Sequence, residues 1–252
     1  MPEAPPDLEA ASAAVSLTRD VIDQAARHFA ARGPGAVDRD QVVAYDLAHS
    51  AAAIETARAA LDYGRRGSVE AGLSTAFAAD AVWTVACRLL GRETGWGVDE
   101  GALRAALPFV SAHRDPAWLA GLAGEPGPRH LDPDFEMVAD TFRRFADDKI
   151  APAAESIHRH NDDIPEEIIS GLGELGAFGL SIPEEFGGYA TGGEHDYLGM
   201  VVATEELSRA SLGAGGSLIT RPEILARALL RGGTEDQKRR WLPRLATGEI
   251  MA

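Results

Sequence analysis

A single arginine interrupts a run of small and apolar residues near the C-terminal end of the sequence. Residues 213 to 224 read GAGGSLITRPEI, and Arg221 is the first charged residue in this stretch. The guanidinium group is always charged and planar, and it can receive a carboxylate or phosphate through paired hydrogen bonds. Burying it without an anion costs several kcal/mol. Arg221 therefore either reaches solvent or binds an anion.

The histidines and the glycine-rich stretch do not have the spacing of a metal site or a phosphate-binding loop. The seven histidines are scattered, and His158 and His160, two residues apart, would point to different sides of a helix. We therefore predict no metal site. The glycine-rich stretch GGYATGG at 187 to 193 has no following Lys-Ser/Thr, which a phosphate-binding loop requires, so we predict a flexible surface loop.

Adjacent glutamates occur at 166–167, 184–185 and 205–206, and such pairs could be considered as a catalytic general acid and general base. Neighbours in sequence point apart on a helix, so we expect these pairs to cap helices or lie on solvated faces. The single cysteine, Cys87, lies in the apolar run AVWTVACRLL, which predicts a buried thiol and no internal disulfide.

Composition narrows the class of protein. The 252 residues include 39 acidic and 24 basic side chains, a formal net charge of −15, which argues against non-specific binding to nucleic acid or to an anionic membrane. The start, MPEAPPDLEA, lacks a basic and apolar leader, and no stretch approaches the roughly 18 apolar residues of a membrane span. We expect a soluble cytoplasmic protein.

The first part of the chain, residues 1–123, is alanine-rich and has helical periodicity. It predicts a bundle of three or four helices. The apolar positions expected to face inward are Leu17, Val21, Ile22, Ala25 and Phe29 in the first helix, Val43, Leu47, Ile54, Ala57 and Leu61 in the second, and Leu73, Phe77, Val82, Trp83 and Leu89 in the third. Tyr45, His49 and Trp83 fall on or near these stripes and are interpreted as core residues rather than a ligand site.

Glycines and prolines concentrate in GLAGEPGPRHLDPD, so we place a linker at 124–134. The remainder, 135–252, again predicts helices, with Leu198, Val201, Val202 and Leu207 on the inner side of one of them. Pro165 is expected in the first turn of a short helix, and Thr234 with Gln237 has the spacing of a capping box. No segment predicts a strand, so the fold class is all-α.

Four sequence fragments in order carry a family resemblance. GLSIPEEFGG, EELSRAS, and GGTEDQK followed by WLPRLATGE resemble the N-terminal helical domain of the flavin-dependent acyl-CoA dehydrogenases, over residues 131–252. The resemblance implies an enzyme that removes hydrogens from the α and β carbons of an acyl-CoA thioester, with FAD as hydride acceptor and an electron-transferring flavoprotein as partner. It also implies a homo-oligomer.

Within the family, GAGGSLITRPEILARALLRGG and the long helical segment before it resemble the branch that oxidises methylsuccinyl-CoA to mesaconyl-CoA. Another specificity, such as that of glutaryl-CoA dehydrogenases or acyl-CoA oxidases, remains open on the enzyme side. So does a non-catalytic helical module that serves in binding or interaction.

The sequence departs from the family pattern at its end. It stops at Ala252, where family members enter a middle β-domain with a Thr-Glu-Pro flavin contact, and the catalytic glutamate has no counterpart. We therefore assign no catalytic base and no flavin-binding residue. We expect this chain to be the N-terminal part of a longer enzyme and to be inactive alone.

The resemblance places the segment after EELSRAS at the end of the acyl pocket. It implies that Gly216, Ser217, Thr220 and Arg221 bind substrate, with Arg221 receiving the free carboxylate of a methylsuccinyl group. The glycines at 213, 215 and 216 are interpreted as room for the ligand. The alternative is that Arg221 turns to water, to Glu223 or to Glu206.

Overall fold

The computed structural model describes residues 5–124 and 127–251, and within these ranges the protein is all-α, as predicted. The described residues contain no strand beyond one isolated bridge between Pro183 and Ala190. The chain divides into two compact units, Met1–Pro128 and Arg129–Ala252. This division falls inside the stretch 124–134, whose role as a linker remains a prediction.

The first unit is a bundle in which three long helices surround one apolar core. Its described helices are α1 (Leu8–Ala30), α2 (Ala36–Arg39), α3 (Gln41–Gly64), α4 (Ser68–Leu89), α5 (Glu93–Trp96), α6 (Leu107–His113) and α7 (Pro116–Ala120). Helix α1 follows its sequence pattern: Val21, Ile22 and Phe29 are buried. At its start, the Asp7 carboxylate accepts a hydrogen bond from the Ala10 N–H at 2.8 Å.

Helix α4 is rotated relative to the prediction. Leu73, Phe77 and Trp83, expected inside, have exposed fractions of 51%, 42% and 41%, whereas Val82 and Leu89 are buried as expected. The buried face consists mostly of small residues, among them Gly72, Ser74, Thr75, Ala78, Ala79 and Ala81.

Small side chains let α3 and α4 approach closely, which explains the rotation. A methyl group on Gly64 would lie 2.9 Å from the Ser74 side chain, so the two helices nearly touch at this point. The Ser74 hydroxyl donates to the Ala60 carbonyl at 2.6 Å and ties the helices together. Close backbone packing of small residues thus leaves no room for a leucine or phenylalanine.

Three further core predictions in this unit are wrong. Tyr45 and His49 lie on the solvated face of α3, with their ring centroids 4.2 Å apart. Cys87 is exposed on α4 rather than buried. The aromatic residues of these helices extend over the outside of an alanine-lined bundle.

The second unit consists of α8 (Pro133–Phe145), α9 (Ala151–His160), α10 (Glu166–Glu174), α11 (Glu194–Ala210), α12 (Ser217–Gly232) and α13 (Glu235–Ala246). The capping box is confirmed: Thr234 Oγ1 accepts from the Gln237 N–H, and the Gln237 side chain accepts from the Thr234 N–H. Pro165 is the N-cap of α10, one position earlier than expected. On α11, Val202 and Leu207 are buried, but Leu198 and Val201 are 37% and 60% exposed, so their predicted inward orientation is wrong.

Two π-helical turns join helices of this unit end to end. The first, Ala146–Ile150, links α8 to α9 just before Pro152. The wider turn lets the helix continue past a residue that has no N–H to donate. The second, Leu212–Gly216, follows the extended Ser211 at the end of α11 and leads into α12; it carries Gly216, whereas Ser217, Thr220 and Arg221 lie on α12.

Candidate functional site

The glycines of the second π-helical turn are explained by packing against α11. A methyl group on Gly215 would lie 2.8 Å from the Leu207 carbonyl oxygen, and one on Gly216 would overlap the Ser208 hydroxyl. The room predicted at these two positions is therefore filled by the chain itself. Gly213 differs, since its side is open. The assignment of Gly216 to substrate binding remains a prediction.

This packing can be tested by a paired substitution. Gly216→Ala is expected to destabilise the second unit by about 1–3 kcal/mol, because the added methyl group clashes with Ser208. Adding Ser208→Ala removes the clashing oxygen and should recover part of the loss, as measured by urea unfolding of the single and double variants. Additive losses in the double variant would show that the two residues do not meet.

Arg221 lies on the outer side of α12 and is exposed. In the described part of the chain it makes no hydrogen bond or ion pair. Glu223 instead binds Arg227, with Nε and Oε1 2.7 Å apart. Of the orientations predicted for Arg221, the structure of this chain places it toward solvent, where an incoming anion can reach it.

The other predicted site residues lie on the same turn of helix. Ser217 and Arg221 are four residues apart and share a face of α12. The Thr220 hydroxyl donates back to the Ser217 carbonyl at 3.2 Å, so it is already engaged within the helix. Ser217 is half-buried and begins the helix.

A shallow groove of about 390 Å³ runs between α11 and α12 beside this segment. Its lining residues are Tyr197, Met200, Val201, Thr204, Glu205, Ser208 and Glu223. Arg227 ties the two helices together, because it donates to the Tyr197 hydroxyl at 2.8 Å and its guanidinium carbon lies 4.3 Å from the centre of that ring. The exposed Val201, on which the sequence prediction failed, forms part of this groove.

Glu206 is a buried carboxylate that three hydrogen bonds from arginines hold, and the sequence did not predict this role. It is 3% exposed rather than part of a solvated face. Arg143 donates to it twice, at 2.7 and 3.0 Å, and Arg129 once, at 2.8 Å. The hydrogen bonds from Arg143 lower the pKa of Glu206 most, and the hydrogen bond from Arg129 lowers it further. Burial acts in the opposite direction, but the pKa stays below its ordinary value. Arg129 and Arg143 come from distant sequence positions, so spacing could not indicate them; only Arg209, three residues after Glu206 with Nε 3.5 Å from Oε2, has a spacing that suggests a pair.

The glycine-rich loop at 187–193 holds a carboxylate of its own. Asp196 accepts from the Thr191 N–H at 3.0 Å and from the Gly192 N–H at 2.7 Å. The hydrogen bond from the Thr191 N–H lowers the pKa of Asp196, and the one from Gly192 adds to this effect. Burial alone would raise the pKa. Because these N–H groups are occupied, the loop does not offer them to a phosphate.

Histidines of the second unit do not converge. His158 and His160 are both exposed in the last turn of α9. Among the described residues, no three His, Cys, Asp or Glu side chains are grouped as metal ligands would be. None of the helices in the described ranges is long and apolar enough to cross a membrane.

Comparison with known protein families decides the class of the second unit. A sequence model described as the acyl-CoA dehydrogenase N-terminal domain matches residues 132–249. These residues form an acyl-CoA dehydrogenase N-terminal domain. The match contains Glu206, the groove and all four predicted substrate-binding residues of this acyl-CoA dehydrogenase domain, and it does not include residues 1–131.

Curated relatives agree with this family. The chain is 51% identical over 125 residues to (2S)-methylsuccinyl-CoA dehydrogenase of Cereibacter sphaeroides, covering 50% of this chain and 22% of that protein. It is 37% identical over 150 residues to the mitochondrial isovaleryl-CoA dehydrogenase of Solanum tuberosum, covering 59% and 34%. Glutaryl-CoA dehydrogenase of Desulfococcus multivorans is 32% identical over 122 residues, covering 48% and 31%.

The chain thus spans about a fifth to a third of the length of these acyl-CoA dehydrogenases. In the described residues of the acyl-CoA dehydrogenase domain, the N–H groups of the glycine-rich loop singled out by the sequence are taken by Asp196 and are not free for a flavin phosphate. No residue of this chain is therefore assigned to the flavin.

Proposed function

We propose that this chain functions within an FAD-dependent acyl-CoA dehydrogenase that oxidises methylsuccinyl-CoA to mesaconyl-CoA, in the ethylmalonyl-CoA pathway of acetate assimilation. The observation that carries the proposal is the 51% identity to a methylsuccinyl-CoA dehydrogenase, against 32% to a glutaryl-CoA dehydrogenase over a stretch of similar length. The proposed activity belongs to the complete enzyme.

The contribution of this chain is recognition of the acyl group. Methylsuccinyl-CoA differs from a monoacyl thioester by a free carboxylate at the end of its acyl group. Arg221, exposed and without an ion-pair partner in the described ranges, supplies a cation that can bind this carboxylate through two parallel hydrogen bonds. Ser217, on the same face, adds a hydroxyl donor. Gly216 and Thr220 complete the predicted substrate-binding set.

The groove between α11 and α12 is compatible with this role. Its acidic members are neutralised by arginines: Glu223 by Arg227 at 2.7 Å and Glu205 by Arg129 at 2.7 Å. An anionic substrate therefore meets paired rather than free carboxylates on this side of α12. The Arg227 contact with Tyr197 also joins α12 to α11, and so helps to fix the origin of the Arg221 side chain.

The remaining parts of the proposal follow from the family. FAD supplies the hydride acceptor, an electron-transferring flavoprotein receives the electrons, and the complete enzyme is a cytoplasmic homo-oligomer. A non-catalytic helical module is the alternative. Flavin absorbance in the purified complete protein separates the two, since a binding module carries none.

Substrate choice tests the proposal directly. In the complete enzyme, kcat/KM is expected to be at least about tenfold higher for methylsuccinyl-CoA than for glutaryl-CoA or isovaleryl-CoA, because the two competitors place their carboxylate differently or lack it. The measurement is dye-coupled oxidation of each thioester under the same conditions. A preference for isovaleryl-CoA would contradict the proposed specificity and leave the family assignment intact.

A further inference from the structure

The last two helices of the second unit carry charge of the opposite sign to the rest of that unit. Helices α12 and α13 have seven basic and three acidic side chains, a local net charge of +4. Residues 129–216, which precede them, have 6 basic and 18 acidic side chains. One helix pair is therefore positive in a chain whose formal net charge is −15.

Much of this positive charge lies in one stretch of α13. Four basic residues occur within seven positions, and together they are called the cationic surface: Lys238, Arg239, Arg240 and Arg244. Two of the four are bound to neighbouring glutamates. Lys238 binds Glu235 at 2.9 Å, and Arg244 binds Glu249 at 2.8 Å. These two glutamates are therefore already engaged with other cations.

The charges of Arg239 and Arg240 stay available to an anion. Both side chains are exposed, and neither forms an ion pair in the part of the chain that the structure describes. The guanidinium carbon of Arg240 lies 4.7 Å from the ring centre of Trp241, which supports this side chain on the helix surface. Exposed cations without a bound carboxylate can attract an anion from solution.

The cationic surface lies beside the helix that carries the predicted substrate-binding residues. Helix α13 packs against α12 through an apolar cluster that includes Ala226, Leu242 and Leu245. Packed helices lie about 8–10 Å apart. The Debye length at physiological ionic strength is about 8 Å, so the field of α13 reaches the surroundings of α12 with only partial screening.

We propose that the cationic surface attracts the phosphate groups of the CoA part of the substrate and so raises the rate at which the thioester binds. The CoA part carries a 3′-phosphate and a pyrophosphate, which a chain of net charge −15 would otherwise repel. A positive patch near a binding site raises the local concentration and the association rate of an anionic ligand. The inference rests on the proposed function for the CoA thioester, but not for the identity of the acyl group.

Reversal of the two unpaired charges tests the surface. In the complete enzyme, Arg239→Glu/Arg240→Glu is expected to lower kcat/KM about tenfold at an ionic strength of about 10 mM, where the Debye length is about 30 Å. The loss should appear in KM, with kcat changed less than about twofold. It should largely vanish at about 1 M salt, where the Debye length is about 3 Å. The substrate is whichever acyl-CoA the complete enzyme oxidises fastest.

Three controls separate attraction of phosphates from general damage. The same acyl group on pantetheine, which has no phosphate, should be oxidised equally by wild type and variant. Arg144→Glu/Arg159→Glu reverses two exposed charges on α8 and α9 and changes the net charge equally, but should lower kcat/KM much less. Arg239→Lys/Arg240→Lys keeps both charges and should retain the wild-type value, because long-range attraction depends on charge rather than on paired geometry.

Equal losses with the CoA and pantetheine thioesters, or a loss that persists at high salt, would overturn the role of the cationic surface. Equal losses in the two charge-reversed variants, or an unchanged kcat/KM at low salt, would also overturn it. A preference for an acyl-CoA other than methylsuccinyl-CoA would contradict only the proposed specificity. A complete protein that oxidises no acyl-CoA would contradict the proposed function, and this inference with it.

Discussion

Replacing Glu206 by glutamine is expected to lower the free energy of unfolding of the second unit by about 3 kcal/mol. The carboxylate is nearly fully buried and is held by Arg129 and Arg143. The neutral amide of glutamine has no ionic attraction to the two arginines, and its NH2 group would face their N–H donors. Removing one partner of a buried ion pair costs about 3–5 kcal/mol. The lower end applies here, because the Arg129 and Arg143 side chains are 30% and 42% exposed and can turn partly to water.

Glu205 provides a matched control in the adjacent position. Its side chain is 62% exposed and pairs only with Arg129 in the described ranges. Glu205→Gln should therefore cost less than about 1 kcal/mol. Urea unfolding followed by hydrogen exchange of peptides from α8 and α11 assigns the loss to the second unit, which matters because the chain has two units that can unfold separately. Equal losses for the two variants would contradict the network.

The Glu206 effect has a defined pH dependence. Because the pKa of Glu206 is lowered in the folded state, its stabilisation is present above about pH 4.5, the ordinary value for the group, and is lost as the pH falls through the folded-state pKa. The gap in stability between wild type and Glu206→Gln should therefore close in acid. Asp196, whose pKa is also lowered, is present in both proteins and cancels in the difference. A gap that is constant down to pH 3 would exclude this linkage.

Local signals in the sequence were sufficient wherever a structure is fixed by a few neighbouring residues. The Thr234–Gln237 capping box and the buried stripe of α1 needed only spacing and residue type. The buried face of α4 was predicted wrongly because the helix has more apolar residues than one face can hold, so periodicity alone does not choose among them. Size then decides: alanine and glycine fit the narrow gap to α3, and Leu73 and Phe77 do not.

Long-range partners were beyond the sequence. Glu206 looked like half of a solvated pair, since nothing at 205–206 indicates that Arg129 and Arg143, more than sixty residues away, converge on it. The glycines at 215 and 216 suggested space, but the space is taken by the preceding helix. In contrast, Arg221 stood out because a charge among small and apolar residues needs either solvent or an anion, and solvent is where the chain places it.

Arg221→Met in the complete enzyme is expected to reduce the preference for methylsuccinyl-CoA over a monoacyl thioester by about 100-fold in kcat/KM, or about 2.7 kcal/mol. The reason is specific to the substrate carboxylate. Without Arg221 this anion would enter the acyl pocket unpaired, whereas a monoacyl chain has no charge to lose. Methionine keeps much of the side-chain length, so the monoacyl substrate should bind as well as before or better.

Two further substitutions separate recognition from general damage. Arg221→Lys keeps the charge but loses the paired geometry, so it should retain only part of the preference. Arg231→Met removes another exposed arginine of α12 and should leave the preference unchanged. The free energy of unfolding of each of the three variants should lie within about 0.5 kcal/mol of the wild-type value, because these side chains are exposed. An unchanged ratio of kcat/KM values in Arg221→Met would mean that the substrate carboxylate is bound elsewhere, by residues outside this chain or by another cation of the second unit.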